Sequence, residues 1–302
     1  MQIIPLAADS MGVRSMATFV EGRGTGILID PGAVLAERRR GLPPHPLETD
    51  RLAKALGRIS LYVKAARIVA VTRWDPEHVR FESPEWMKGK RLLVKNPNLC
   101  LSSESRTRAF AFLKTVRNLC EEINFADGTA FSAGACSVTF GDFVPAGPAD
   151  PREASIPLVV TEGEESFAFA SAAKGVYPEP TALFLASAKP SVLYLDGPDS
   201  NPAERGVRRP ATAPLIRRMR RLISESGSRR ILYDHHPIRD PEWRRKAEPL
   251  FQAAMEQAAV LQTAAEYRGE EILDLESRRM SLYDLEHGAA AGEFDFSGRG
   301  SA

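Results

Sequence analysis

The segment Arg67–Thr72 (RIVAVT) constrains the fold more than any other part of the sequence, because its interior is an uninterrupted apolar run. A strand that is apolar on both faces must be covered on both faces, as in the centre of a layered sheet. The segment before it, Leu47–Ala66, has apolar residues at helical spacing and is predicted to be a helix. The two together favour an α/β or α+β domain with helices packed on the outer faces of its sheets.

The same alternation of short apolar runs and longer amphipathic segments continues along the chain. Further strands are predicted at Gln2–Leu6, Ala17–Val20, Gly26–Asp30, Arg91–Val94, Cys136–Phe140, Pro157–Val160, Ser166–Ala170, Ala182–Leu185, Ser191–Leu195 and Arg230–Tyr233. Further helices are predicted at Ser103–Leu119, Pro214–Ser226 and Asp240–Tyr267, the last bent or divided at Pro249. We expect a single domain over residues 1–287 and a disordered tail over 288–302, where the chain is small and polar.

Composition excludes several classes of protein. Forty Lys and Arg residues against thirty-nine Asp and Glu give a net charge of +1, which argues against a nucleic-acid-binding protein. No apolar stretch is long enough to span a membrane, and the first residues lack the basic region of a signal peptide. Three scattered cysteines suit a reducing compartment, so we expect a cytoplasmic protein. The alanine-rich face of Asp240–Tyr267 predicts close helix packing or a contact between copies in a homo-oligomer.

Three of the five histidines come directly after predicted strands. His78 follows Arg67–Thr72, and His235 and His236 follow Arg230–Tyr233. Polar groups at the carboxyl ends of strands form the sites of layered α/β folds, because the sheet directs them into one crevice. The other two, His45 and His287, are interpreted as a loop-shaping residue and an inert residue near the tail.

Several stretches spread over most of the chain carry a family resemblance. They are Ile3–Leu6, Gly12–Glu21, Leu28–Gly32, Gly41–Glu48, Arg106–Leu113, Asp234–His236 and Arg239–Asp240. In these stretches the chain resembles an uncharacterised, largely archaeal branch of predicted metal-dependent hydrolases in the metallo-β-lactamase superfamily. The resemblance implies a four-layer αββα sandwich of the metallo-β-lactamase type.

The resemblance also implies where metal ligands should lie, and most of those places have changed. Superfamily members carry an HxHxDH motif, and its four ligand places are Arg73, Asp75, Glu77 and His78 here. A third histidine for the first metal would stand at Ala146, and the aspartate that bridges the two metals at Ala172. The final histidine remains, as His236 or its neighbour His235. Because a guanidinium has no lone pair to donate, the resemblance predicts that a two-metal hydrolytic centre is lost.

A smaller set of candidate site residues remains. Glu77, His78 and His236, with His235 as an alternative, are the predicted ligands of one zinc or iron ion, although a protein without metal is equally compatible with the sequence. Asp75 is predicted to be an additional ligand or a catalytic base. The remaining pocket residues are predicted to be Arg73, Lys174 and Asp234. The charges of Arg73 and Lys174 favour a small anionic ligand.

Three functional hypotheses follow from these residues. The first is a non-catalytic or strongly diverged relative that binds a ligand or a protein partner. The second is a hydrolase or other enzyme with one metal at Glu77, His78 and His236. The third is a metal-free enzyme that uses Arg73, Asp75, Glu77 and Lys174.

Overall fold

Two mixed β-sheets lie face to face in the computed structural model, which describes residues 1–82, 84–99, 102–142, 144–145, 154–200 and 212–293. The first sheet follows chain order through β1 (Gln2–Pro5), β2 (Thr18–Gly22), β3 (Thr25–Ile29), β4 (Ile68–Val71), β5 (Arg91–Val94) and β6 (Glu122–Phe125). The other strands are β7 (Ala130–Ala133), β8 (Cys136–Phe140), β9 (Val144–Pro145), β10 (Ala154–Ser155), β11 (Leu158–Glu162), β12 (Glu165–Ala170), β13 (Val192–Asp196), β14 (Arg230–Asp234) and β15 (Val260–Gln262). The second sheet has the order β15-β14-β13-β12-β11-β8-β7, and β9 pairs with β10 apart from it.

Helices cover the outer face of each sheet. The helices are α1 (Pro46–Ala65), α2 (Ser103–Val116), α3 (Glu179–Ser187), α4 (Thr212–Ser226), α5 (Trp243–Glu256), α6 (Ala264–Tyr267) and α7 (Leu275–Glu293). Apolar residues of α1 and α2 pack on the first sheet, and those of α3, α4 and α5 pack on the second. The expectation of an αββα sandwich is confirmed. In the described part of the chain, no helix combines the length and the apolar character needed to cross a bilayer.

β4 shows why the sequence requires this layering. Ile68 and Ala70 belong to the core between the two sheets, whereas Val69 and Val71 belong to the core beneath α1 and α2. All four side chains are buried. The apolar run therefore supplies both faces of one strand, as its lack of polar alternation predicts.

Two predictions of local structure were wrong. Ala182–Leu185 lies within α3 instead of forming a strand, because an apolar run of this length has no periodicity that separates a strand from a buried helix. Asp240–Tyr267 is divided into α5, β15 and α6, and α5 is continuous through Pro249. The chain leaves α5 at Ala258, whose φ of 55° is left-handed, and β15 then adds in parallel to β14.

The structure places the alanines of Asp240–Tyr267 and the first part of the predicted tail. The alanines that pack inside the fold are Ala253, Ala254, Ala259, Ala264 and Ala265. These alanines therefore pack within the fold, as one of the two alternatives predicts, and a contact between copies stays a prediction. α7 extends to Glu293, and residues 294–302 lie outside the described residues.

A glycine after β3 determines how closely the loop after β4 can approach the first sheet. A Cβ atom on Gly32 would lie 2.4 Å from the amide nitrogen of Val79 and 2.5 Å from the carbonyl oxygen of Pro76. Both are backbone atoms, so no side-chain rotation relieves the overlap. The loop that carries His78 can therefore pack here only against glycine.

α7 is attached to the rest of the fold by a fully buried ion pair. Arg279 donates from Nε and Nη2 to the two oxygens of Glu48 at 2.7 and 2.8 Å, and the two side chains are 0% and 1% exposed. Glu48 also accepts from the backbone N–H of His45, which caps α1. One carboxylate thus caps the N-terminus of α1 and holds α7.

We expect Gly32→Ala to lower the free energy of unfolding by about 1–3 kcal/mol, because the added methyl group overpacks a backbone contact. Urea unfolding of the variant and the wild type measures this. Gly57→Ala is the matched control, since Gly57 lies on α1 with nothing near its Cβ position. There we expect stabilisation of about 0.5–1 kcal/mol, and equal effects at both sites would contradict the close approach.

We expect Arg279→Met to destabilise the protein by about 3–5 kcal/mol, since it leaves the buried Glu48 carboxylate without its cation. The neighbouring variant Arg278→Met removes a half-exposed side chain, and we expect it to change stability by less than about 0.5 kcal/mol. Thermal or urea unfolding compares the two. A loss for Arg279→Met no larger than that for Arg278→Met would show that the pair does not hold α7.

Candidate metal centre

The loops that carry the predicted site residues meet at one edge of the sandwich. β3 and β4 are parallel neighbours in the first sheet, as are β12, β13 and β14 in the second, so their carboxyl ends face the same way. A cleft of about 450 Å³ opens between the loops, a volume typical of small-molecule sites. Its walls are formed by Arg14, Val34, Leu35, Glu37, Arg73, Asp75, Pro76, Glu77, His78, Ala172, Lys174, Asp199, His235, His236 and Arg239.

The backbone at this edge is held in conformations that non-glycine residues rarely adopt. Asp30 has a φ of 46°, Ala172 of 52°, Lys174 of 47° and His235 of 76°. Such conformations cost free energy and persist only where surrounding contacts hold them, as they do at functional sites. The strain therefore marks the edge as the place where side chains are positioned at the expense of local stability.

Each of three imidazoles in the cleft wall is tied to a buried carboxylate through Nδ1. The pairs are His78 with Asp30 Oδ2 at 2.8 Å, His235 with Asp9 Oδ2 at 2.7 Å, and His236 with both oxygens of Asp196 at 3.0 Å. Histidines that bind metals in proteins are oriented in this way, because the carboxylate fixes the ring and leaves Nε2 as the ligand atom.

Glu77, His235 and His236 bring ligand atoms together in the described part of the chain. One atom from each residue lies within 4.8 Å of the other two. His235 Nε2 is 3.2 Å from Glu77 Oε2, is buried, and has no hydrogen-bond partner of suitable direction. Burial, followed by the charge of Arg239, holds the pKa of His236 well below its usual range, so this ring is neutral and keeps a lone pair.

Two guanidinium groups contact the same glutamate. Arg239 Nη2 lies 2.8 Å from Glu77 Oε2, and Arg14 Nη1 lies 3.4 Å from Glu77 Oε1. Burial would raise the pKa of Glu77, but the charge of Arg239, followed by those of His235 and Arg14, outweighs it and holds the pKa well below its usual range. The carboxylate is therefore ionised, and cations of the protein itself already neutralise it.

Asp75 and Arg73 form an ion pair with each other in the cleft wall. Burial acts to raise the pKa of Asp75, but the charge of Arg73, followed by that of His78, outweighs burial and holds the pKa below its usual value. A general base works best when its pKa is near the working pH. The low pKa and the ion pair favour a structural role for Asp75, which also accepts the backbone N–H of Glu77 at 3.0 Å. Its role as a ligand or catalytic base stays a prediction.

His78 faces two carboxylates. Its Nδ1 is bonded to Asp30, and its Nε2 lies 3.9 Å from Asp75 Oδ1. Burial lowers the pKa of His78, but the charges of Asp75 and Asp30 overcome this and raise it to about 9. The protonated ring has no lone pair for a metal. In the structure His235, and not His78, completes the group with Glu77 and His236.

Most of the residues predicted from sequence line the cleft. They are Arg73, Asp75, Glu77, His78, Lys174, His235 and His236. Asp234 lies behind the cleft wall, where its carboxylate accepts the backbone N–H groups of Ser10, His235 and Ala264. Ala172 lines the cleft, whereas Ala146 lies outside the described residues.

Sequence reasoning missed the residues that hold the site together. These are Asp9, Arg14, Asp30, Asp196 and Arg239. Asp30 directly follows β3 and Asp196 ends β13, so the rule that located the histidines would also have located them. Asp9 and Arg14 lie in the loop after β1 and carry no comparable local signal.

Comparison with known proteins gives close relatives in sequence. A UPF0282 protein of Metallosphaera sedula is 35% identical over 297 residues, which cover 96% of this chain and 95% of the relative. A UPF0282 protein of Korarchaeum cryptofilum is 34% identical over 286 residues, which cover 94% and 95%. No protein-family model matches the chain.

Solved structures share the architecture at low sequence identity. Unliganded yeast PDE1 superposes with a TM-score of 0.55 at 10% identity, over 86% of this chain and 96% of that chain. CmlA, a diiron β-hydroxylase from Streptomyces venezuelae, superposes with a TM-score of 0.50 at 13% identity, over 82% of this chain and 51% of that chain. At these identities the likeness shows the fold alone, which is the metallo-β-lactamase fold.

The raised pKa of His78 predicts a pH-dependent stability. A histidine whose folded-state pKa is raised stabilises the fold fully below its unfolded value of 6.5, and this contribution is lost as the pH rises through about 9. We expect the stability of the wild type relative to His78→Gln to fall by about 3 kcal/mol over this interval. Urea unfolding at several pH values in chelator measures the difference, and a difference that does not vary with pH would contradict a protonated His78.

Proposed function

The chain belongs to the UPF0282 family, and from that premise we propose that it is a diverged relative of metal-dependent hydrolases with a single-metal site at Glu77, His235 and His236. The observation that carries this proposal is the convergence of three ligand atoms to within 4.8 Å at the wall of the cleft. Two imidazoles and one carboxylate suit zinc or ferrous iron and leave coordination positions open.

The surroundings of the donor atoms also fit a metal. His235 Nε2 is buried and makes no hydrogen bond, although it lies 3.2 Å from Glu77 Oε2, and such a nitrogen is costly unless something binds it. The carboxylates of Asp9 and Asp196 orient the two rings. When bound, the ion supplies Lewis-acid polarisation of a carbonyl or phosphoryl oxygen of the substrate.

The contacts in the rest of the cleft support one metal instead of two. Arg73 and Asp75 stand at two histidine places of the family resemblance, and they pair with each other. Ala172, at the place of the bridging aspartate, has no ligand atom. A second ion would therefore meet a guanidinium and a methyl group where it needs donors.

Cations beside the metal group favour an anionic ligand or substrate. Lys174 and Arg73 line the cleft, and both charges contribute to the low pKa of His236. Asp196 accepts the backbone N–H of Lys174 at 2.7 Å and also holds the ring of His236. One carboxylate thus positions a ligand histidine and a cation together, which suits a substrate with its negative group next to the metal.

The second candidate is a metal-free protein that binds a small anion without catalysis. The ion pairs of Glu77 with Arg239 and Arg14 favour it, since they compensate the carboxylate without any metal. In that case Lys174 and Arg73 supply the charge that binds the ligand.

Metal content distinguishes the two candidates. We expect untagged protein to contain about one zinc or iron per chain by elemental mass spectrometry. We expect His236→Ala and Glu77→Gln to lose that metal, since each removes a donor. His78→Gln is the matched control: it changes a cleft histidine outside the converging group and should retain the metal.

Each contrary outcome has a distinct meaning. Loss of metal in His78→Gln, with folding intact, would assign the ligands to Glu77, His78 and His236. No metal in the wild type after incubation with excess zinc or iron would contradict the metal site. Calorimetric titration with inorganic phosphate, comparing the wild type with Lys174→Gln, would then test the anion-binding candidate.

A further inference from the structure

We propose that Arg14 and Glu276 set the metal affinity of this site: Arg14 competes with the metal for Glu77, and Glu276 on α7 draws Arg14 away. The inference rests on the proposed single-metal site and adds that two charged residues of the protein determine how readily the metal binds there. Both are positioning residues, because they act on the metal through Glu77.

Arg14 lies between two carboxylates with unequal contacts. Its Nε and Nη2 donate to Glu276 Oε2 and Oε1 at 2.6 and 2.7 Å, which is the bidentate geometry of a strong pair. Its Nη1 reaches Glu77 Oε1 at 3.4 Å, a longer and weaker contact. The guanidinium is therefore bound mainly to α7 and only partly to the candidate ligand.

The contact with Glu77 nevertheless opposes metal binding. An arginine remains charged at any pH at which the protein is folded, so it cannot be removed by losing a proton. Arg14 and Glu77 are each 19% exposed, and charges that are this well buried are screened little by salt. A metal ion that takes lone pairs of Glu77 then meets the repulsion of a cation on the same carboxylate.

Glu276 is placed to moderate that competition without being needed to attach α7. It also accepts from Arg39 Nη1 at 3.0 Å, and Arg39 Nη2 donates to the carbonyl oxygen of Arg239. α7 has a separate attachment one turn further along, where Arg279 pairs with Glu48. Neutralising Glu276 should leave α7 docked and leave Arg14 with Glu77 as its remaining carboxylate.

The two residues should therefore change metal affinity in opposite directions. We expect Arg14→Gln to tighten Zn²⁺ binding about tenfold and Glu276→Gln to weaken it about tenfold, a size typical of changes behind metal ligands. Isothermal titration calorimetry of metal-free protein with Zn²⁺ alone measures both. A purely structural role would weaken binding in both variants. Arg239 is a poorer residue to substitute in this test, because its loss would remove the guanidinium that pairs with the buried carboxylate of Asp9.

A double variant tests whether Glu276 acts through Arg14. In an Arg14→Gln background, we expect Glu276→Gln to have little further effect on Zn²⁺ affinity. Additive effects would mean that the two charges act independently on the metal, and would overturn the proposal. Arg14→Lys, which keeps the charge, should bind Zn²⁺ less tightly than Arg14→Gln.

Controls separate this inference from the metal site itself. Arg221→Gln and Glu225→Gln break an exposed ion pair on α4 and should leave Zn²⁺ affinity unchanged. Absence of Zn²⁺ binding in the wild type and in Arg14→Gln alike would contradict the metal site and the inference with it. Zn²⁺ binding by the wild type without opposite shifts in the folded variants would overturn the inference alone.

Discussion

The cleft depends on buried charge compensation around Glu77 and Asp9. Arg239 bridges the two carboxylates, with Nε 2.7 Å from Asp9 and Nη2 2.8 Å from Glu77, and Asp9 also holds His235. A buried charge without a partner costs several kcal/mol, so removing any one of these charged side chains would leave another unpaired and lower the stability of the protein. The network lets the loop after β4 and the loop after β14 meet without requiring a metal ion to join them.

The same network bears on the proposed single-metal site, in which one of the two metal positions implied by the family resemblance is lost and the other is kept. At the place of the first position, Arg73 and Asp75 form an ion pair with each other. The second keeps a carboxylate and two oriented imidazoles, with guanidinium groups at its rim. Under this proposal, occupancy is a balance between an external cation and the cations of the protein, and α7 takes part in it through Glu276 without contributing a ligand.

The layered architecture was predictable because it follows from local patterns. The apolar run of β4 requires cover on both faces: the helix predicted before it covers one face, and the second sheet covers the other. The family resemblance added the αββα arrangement and the altered motif. Prediction failed at Ala182–Leu185, whose short apolar run is compatible with a strand or with a buried helix. It also failed at Asp240–Tyr267, where the pairing of β15 with β14 interrupts the predicted helix.

For the site, the sequence by itself determined which strand ends carry polar side chains, and so placed Glu77, His78, His235 and His236 at one edge. Only the tertiary structure decided that His235 joins Glu77 and His236 while His78 is held between two carboxylates. That choice depends on Asp9, Asp30 and Arg239. Asp9 and Arg239 are 230 positions apart in the chain, yet their side chains are in contact. No local pattern records such contacts, because they arise when the two sheets pack and bury charges that must then find partners.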